Sequence, residues 1–335
     1  MISQVAWAVP PGAKANTRPV LLTRELIRLG VISERYEALF HGRQAPIPGH
    51  SNAGKWWPGG RLRSEGSNRA VLSPVYFSVT GPASRWVDFY DDWSIAPDIN
   101  AWHRTLSALS YRAVASGYRS TTGVTCNSPY MAAKLGLSSA AIVPNGVDPE
   151  AANLKTSDDP KRRLLLLGHF FSGRTDFDLI DRICSRDYFD QVVIGAPGTD
   201  PTMISLLDRL RRRLGSALQV HDWLSTDDLA ALSGRHTAAV VPHVVSDYTL
   251  SQDLMKVYTL SALGIRVICP RLLWPRTLPN DFAYLLDYGV KLEDTLAEWL
   301  DGPGPSAEWR QKIGREHSWE ARARQVVGLI GAIPC

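Results

Sequence analysis

From residue 161 onward, apolar positions alternate between short continuous runs and helical stripes. Residues 164–167 are all leucine and end at Gly168, which predicts a strand buried on both faces. Residues 176–186 carry Phe177, Ile180 and Ile183 at helical spacing, and residues 191–195 read as the next strand. Residues 201–214 place Met203, Leu206, Leu207, Leu210 and Leu214 on one side of a helix, with Arg209, Arg211 and Arg212 mostly outward. Further strands are predicted at 218–220, 238–241 and 266–269. One helix follows Ser225, whose Asp228 three places on makes a near capping box, and another covers 252–263 and stops at Gly264. Strands alternating with helices of about ten residues predict a parallel, doubly wound α/β sheet.

The first 147 residues are less regular. Strands are predicted at 5–9, 71–75, 87–90, 123–126 and 141–143, with helices at 20–29, 101–116 and 129–135. This pattern fits a second Rossmann-like unit, and a pseudo-repeat of two such units is the only internal symmetry. A loop over 10–19 contains Gly12, which permits close backbone approach, and Lys14, which adds charge. Between residues 40 and 69, Gly, Pro, Ser and Arg surround the pair Trp56–Trp57, as in a long functional loop.

Composition narrows the class. At 335 residues, 44% hydrophobic and 21% charged, the chain is long enough for two domains and is not a disordered tail, a collagen or a coiled coil. No apolar run approaches the ~20 residues of a membrane-spanning helix. The first residues lack a basic stretch followed by an apolar core, so no secretory leader is expected. Cys126, Cys184, Cys269 and Cys335 are widely spaced and form no CxxC, which suits reduced thiols in a cytoplasmic protein rather than a disulfide framework or zinc site.

Charge is unevenly placed. Of the net +4, residues 1–147 hold 15 Lys+Arg against 8 Asp+Glu, a net +7, leaving −3 for the rest. That asymmetry predicts an anionic partner for the first half, or merely an arginine-rich solvated face. Within residues 41–69, Arg43, Lys55, Arg61, Arg63 and Arg69 oppose Glu65 beside Trp56 and Trp57. Rings among cations can stack on nucleobases, stack on sugars or sit against anionic lipid headgroups.

Four segments carry a family resemblance. Residues 143–148, VPNGVD, form a tight turn where the first half ends. Residues 167–180, LGHFFSGRTDFDLI, run from a strand through a glycine turn into a helix, and residues 251–268, SQDLMKVYTLSALGIRVI, hold a helix, a glycine and a strand. Residues 317–322, HSWEAR, open a last helix. In this order they resemble the GT-B glycosyltransferases of retaining family 4 (glycosyl transferases group 1), in a bacterial TuaH-like branch. The resemblance spans roughly residues 87–328. It implies an N-terminal acceptor-binding Rossmann-like domain over 1–147, a C-terminal nucleotide-sugar-binding domain over 148–315, and a closing helix over 316–335 that crosses back to the first domain. In that fold the two domains face each other across a cleft.

The implied activity moves a sugar from a nucleotide-diphosphate donor, UDP- or GDP-linked, to an acceptor hydroxyl with retention and without a metal or other cofactor. The departing diphosphate needs positive charge and backbone N–H groups. Arg174, in a glycine-containing loop beside Gly173, and Lys256, one turn inside its helix, suit that task. Ser251, at the expected start of the helix, offers a cap and N–H groups. The family has a Glu where Thr259 stands, to hold the ribose hydroxyls, and its partner Glu falls on Ser251. A hydroxyl cannot replace a bidentate acceptor fully, and Asp253 is the available substitute.

Asp92, in the run DFYDDW, is expected to orient sugar hydroxyls; a metal at its Asp pair is the weaker reading, and none is assigned. Gly12 is placed with the donor. Lys14, Trp56, Trp57 and His103 are placed with the acceptor, which is a glycan, a lipid-linked sugar or a small metabolite. His169 and His243 are expected near the same edges, as structural hydrogen-bonders before catalysts. Two alternatives remain: a DNA-modifying glycosyltransferase using the cationic tryptophan loop, and an inactive nucleotide- or carbohydrate-binding relative, suggested by Thr259.

Overall fold

The computed structural model describes residues 2–7, 17–40, 53–55, 69–72, 84–97, 99–116, 123–184, 188–287 and 295–331. They form two compact units. Unit 1 comprises the described residues of Met1–Asn145, Leu250–Asp253 and Trp319–Cys335; unit 2 those of Gly146–Thr249 and Leu254–Ser318.

Unit 1 holds a parallel sheet of β1 (Ile2–Trp7), β2 (Ile32–Phe40), β3 (Ala53–Lys55), β4 (Arg69–Leu72), β5 (Ser84–Phe89) and β6 (Gly123–Cys126) in the order β3-β2-β1-β4-β5-β6. Each residue range follows from local chemistry. Helix α1 (Arg18–Arg28) starts with Pro19 near its first turn, where the missing N–H costs nothing. Asn100 caps α2 (Ala101–Ala115) by accepting the His103 N–H at 3.0 Å. Ser128 caps α3 (Pro129–Leu135), which ends on Gly136 in the left-handed region. Val71, Val87, Phe89, Val114, Met131 and Leu135 fill the core between this sheet and its helices.

Unit 2 repeats the plan. Its strands β7 (Arg163–Leu167), β8 (Gln191–Gly195), β9 (Leu218–His221), β10 (Thr237–Val240), β11 (Arg266–Pro270) and β12 (Ala283–Leu286) are all parallel, in the order β12-β11-β10-β7-β8-β9. The helices are α4 (Phe177–Cys184), α5 (Pro201–Leu214), α6 (Thr226–Leu232), α7 (Asp247–Ser251), α8 (Met255–Ala262), α9 (Leu296–Asp301) and α10 (Ala307–Glu316). Helix α11 (Trp319–Gly331) belongs to unit 1 and packs against α1. The Ser225–Asp228 capping box is formed reciprocally. Leu164, Leu166, Ile180, Ile194, Leu206 and Ile268 are core residues of unit 2.

In both sheets the strand order reverses beside the first strand, between β1 and β4 and between β7 and β10. Crevices at such switch points, outside the carboxyl ends of the strands, are where doubly wound sheets bind ligands.

Several expectations need correction. Residues 252–263 are not one helix: α7 ends at Ser251 and α8 begins at Met255, with Leu254 between them in non-helical backbone. Residues 141–143 are not a strand: Ala141 ends a short 3-10 turn (Ser139–Ala141) and Ile142 makes a single bridge to Cys126. Strand β2, unread in the sequence, carries charges at Glu34, Arg35 and Glu37 that interrupt its apolar pattern.

Candidate functional site

At the switch point of unit 2, β7 runs into Gly168, whose φ of +113° is open to glycine and strained for other residues. A Cβ on Gly168 would lie 2.8 Å from the Lys256 Nζ, so the missing side chain makes the space that the ammonium occupies. Lys256 donates to the Leu167 carbonyl at 2.5 Å, at the end of the same strand.

The next turn is built around Phe171–Thr175. The Arg174 and Thr175 N–H groups both donate to the Phe171 carbonyl, and Gly173 has φ +89°. Arg174 donates to the His169 carbonyl at 2.8 Å and lays its guanidinium 4.3 Å from the centre of the Phe171 ring. This turn is stitched to the segment after β10: Asp176 donates to the Pro242 carbonyl and Val244 to the Arg174 carbonyl, each at 2.8 Å, around an antiparallel Thr175–His243 bridge. Arg174 and His243 are thereby fixed at neighbouring strand ends.

The electrostatics are one-sided. Burial, then the Arg174 charge, lower the Lys256 pKa to about 8, with Cys269 acting weakly the other way. Burial, then Lys256 and Arg174, hold His243 well below 6.5, so it is neutral at pH 7. His243 is 4% exposed, and its Nδ1 is buried with no hydrogen-bond partner among the described residues. Two cations and a neutral imidazole held together by the fold, in a site that depresses the protonation of Lys256 and His243, are what an incoming polyanion would relieve. Thr259 lies one turn beyond Lys256 on the same helix and is half-buried.

Unit 1 places the other sequence-derived residues differently. Asp92 is fully buried: one oxygen accepts from the Ser94 N–H and hydroxyl at 3.1 and 2.6 Å, and the other is ion-paired with Lys134. Both carboxylate oxygens are thus engaged within unit 1, where they hold the turn after β5. Ser251 closes α7 instead of opening a helix. It is fully buried, its hydroxyl accepts from the Asp92 N–H at 2.8 Å, and its carbonyl accepts from the Ser128 hydroxyl at 2.7 Å. The expected cap with outward N–H groups is not there. The Asp253 carboxylate accepts from the Asn145 N–H, and its carbonyl accepts from the Asn145 side-chain amide at 2.5 Å. His103 faces its own cap residue, with its Nδ1 3.3 Å from the Asn100 amide. Gly12, Lys14, Trp56 and Trp57 lie outside the described residues.

A buried polar network in unit 1 escaped the sequence reading. Arg18 grips Asp88 through two bonds at 2.8 and 3.0 Å and also reaches the Asn145 side chain and the Val143 carbonyl. Asp88 further accepts from the Thr125 hydroxyl at 2.7 Å, and Arg322 donates to the Asn145 carbonyl at 2.9 Å. The VPNGVD turn is thus clamped through Asn145, a contact between residues too distant in sequence to be seen there. Among the described residues no group of three or more His, Cys, Asp or Glu is placed to hold a metal ion.

No protein-family model matches the chain, and no curated protein matches it by sequence. Solved structures do match over nearly its whole length. Anabaena HepE (Alr3699) in complex with UDP is 11% identical with a TM-score of 0.66, covering 99% of this chain and 100% of its own. AviGT4, a glycosyltransferase involved in avilamycin A biosynthesis, is 15% identical with a TM-score of 0.54, covering 98% and 97%. WaaG, a glycosyltransferase involved in lipopolysaccharide biosynthesis, is 12% identical with a TM-score of 0.55, covering 97% and 95%. The fold of this chain is GT-B.

Proposed function

We propose that this chain is a retaining, metal-independent glycosyltransferase of the family 4 type and its TuaH-like branch, using a UDP- or GDP-linked sugar. The observation that carries the reading is the cationic switch point: Arg174 and Lys256 fixed around Gly168, with His243 kept neutral beside them. The neighbours bear on it because HepE is described with UDP and with UDP-glucose. Unit 2 then takes the donor and unit 1 the acceptor, a glycan, lipid-linked sugar or small metabolite, in the cytoplasm.

Arg174 and Lys256 bind the diphosphate and stabilise the charge that grows on it. The bond between the anomeric carbon and the phosphate oxygen breaks with its electron pair going to the phosphate. The acceptor oxygen bonds to that carbon on the same face, and its proton passes to the departing phosphate. Gly173 keeps the Arg174 turn narrow enough for the phosphates to approach. Thr259, on the same helix face as Lys256, is left to meet the ribose with one hydroxyl.

Thr259 also supports a second reading, a binding module that holds a nucleotide sugar without turnover, because a single hydroxyl meets the ribose more weakly than a carboxylate would. Titration of the purified chain with UDP, GDP and their glucose conjugates, followed by assay of sugar release, separates the two. Binding that drops at least about tenfold in Arg174→Ala, together with release, supports the transferase. Binding without release across donors and acceptors supports the module, and no binding of any nucleotide rejects both.

A further inference from the structure

The amino ends of β7, β10 and β11, opposite the switch point, border a cavity of about 550 Å³ in unit 2. The residues leading into each of these strands enclose it, with Gly304, Pro305 and Arg310 of α10 beside them. Hydrogen bonds fix these segments to one another. The Ser157 N–H donates to the Ser233 carbonyl at 2.6 Å, and the Ser233 hydroxyl to the Leu263 carbonyl at 2.8 Å. Arg266, 1% exposed, donates to the Arg235, Leu300 and Gly302 carbonyls at 2.7, 2.8 and 3.1 Å, which holds the backbone that carries Arg235.

The cations and the acceptors in the walls come from different segments. Arg235 and Arg310 line the cavity, and neither is ion-paired among the described residues. Arg235 is exposed. Arg310 gives its Nη2 to the Ala152 and Leu154 carbonyls at 3.1 and 3.3 Å, while its Nε is buried with no hydrogen-bond partner among the described residues. Burial lowers its pKa, and no carboxylate offsets this. Gly264, at φ +75°, makes room for its stem, since a Cβ there would lie 2.7 Å from the Arg310 Cδ. The segment before β7 supplies Thr156, Ser157, Asp158 and Asp159. Asp159 pairs with Arg163, whereas the exposed Asp158 has no ion pair among the described residues.

We propose that this cavity binds a sugar monophosphate, with the phosphate on Arg235 and Arg310 and the sugar hydroxyls on Thr156 and Asp158. A guanidinium with an unused, buried N–H suits a phosphate oxygen, and a carboxylate accepts from sugar hydroxyls. The volume is within the range of small-molecule sites and leaves space that a bare phosphate would not fill. Among the described residues that line it there is no Phe, Tyr or Trp to stack on a base, which favours a sugar over a nucleotide. The site stands apart from the nucleotide-sugar reading, since Arg174 and His243 follow the carboxyl ends of β7 and β10.

The test is calorimetric titration of the full chain with ribose 5-phosphate, mannose 6-phosphate, inorganic phosphate and the two free sugars. At least one sugar phosphate is expected to bind with a Kd under about 1 mM, at least about tenfold tighter than inorganic phosphate or its free sugar. Arg235→Ala should weaken that binding at least about tenfold. Its side chain is exposed, so thermal unfolding should match wild type. Asp158→Ala should weaken the sugar phosphate and spare inorganic phosphate. Arg174→Ala should bind the sugar phosphate as wild type does. The proposal fails if neither sugar phosphate binds more tightly than about 1 mM, or if Arg235→Ala binds as wild type does. Equal affinity for inorganic phosphate, or an Asp158→Ala variant with wild-type affinity, overturns the sugar assignment. Loss of binding in Arg174→Ala overturns the location, for then the ligand sits at the switch point.

Discussion

Arg18 in one unit is buried and Lys256 in the other half-buried, and these two basic side chains keep opposite company. Arg18, 4% exposed, meets the fully buried Asp88 carboxylate in a forked pair; burial pulls its pKa down, and Asp88, with Asp253 and Cys126 adding to it, outweighs this, so the net direction is up. Lys134 likewise meets Asp92. Lys256 has Arg174 and the neutral His243 for neighbours and is pushed down to about 8. A buried cation matched to a carboxylate is finished business within the chain. A cation set near others of its sign is held at a cost in stability, and such cost persists where a ligand removes it.

The largest effect that could break this contrast is expected at Arg18. Replacing it with Ala leaves Asp88 fully buried with the Thr125 hydroxyl but without its cation, which should destabilise unit 1 by about 3–5 kcal/mol. Urea unfolding of the variant against wild type measures this. A loss under about 1 kcal/mol would mean that Arg18–Asp88 contributes no more than a surface pair.

Lys256→Ala should do the reverse. An ordinary lysine titrates near 10.5, so the unfolded chain still holds the proton that folded Lys256 sheds near 8. The ammonium's penalty is therefore full below pH 8, is relieved as the pH rises toward 10.5, and is on the order of 3 kcal/mol. Its removal should leave stability at pH 7 equal or higher while UDP affinity falls at least about tenfold. The wild-type affinity should also decline above about pH 8, as Lys256 loses the proton that the diphosphate needs. Calorimetric titration at several pH values checks both, with a flat profile expected for the variant. A variant that binds UDP as tightly as wild type would sink the anion site.

The same contrast explains what could be read before the structure. The parallel sheets and the capping box at Ser225–Asp228 rest on local signals, continuous apolar runs and a cap spacing, whereas Arg174 and Lys256 were singled out through the family resemblance. The helix start expected at Ser251 was misplaced because the chain leaves unit 2 for only four residues, Leu250–Asp253, before returning to it. That excursion is held by Asp92, Ser128 and Asn145, over 100 residues away in sequence. Periodicity sees a helix through it; only tertiary hydrogen bonds break the helix there. The turn contacts of Asp92 with Ser94 and Lys134 were equally illegible, since an Asp that holds a turn and one that binds a sugar look alike in sequence.

The smallest predicted effect is also the sharpest, because it separates backbone from charge. In Gly168→Ala the backbone at φ +113° acquires a Cβ, costing about 1–3 kcal/mol wherever the neighbours are. That Cβ would also sit 2.8 Å from the Lys256 Nζ, the free end of a flexible side chain, which must swing away from the Leu167 carbonyl. UDP affinity should therefore fall about tenfold in Gly168→Ala, as the ammonium leaves its place. Repeating the substitution in Lys256→Ala isolates the two contributions. With no ammonium to displace, the second substitution should still cost the backbone strain but remove no further UDP affinity. Two independent losses of affinity would mean that Gly168 serves the ligand directly, by close backbone approach, and not by making room for Lys256.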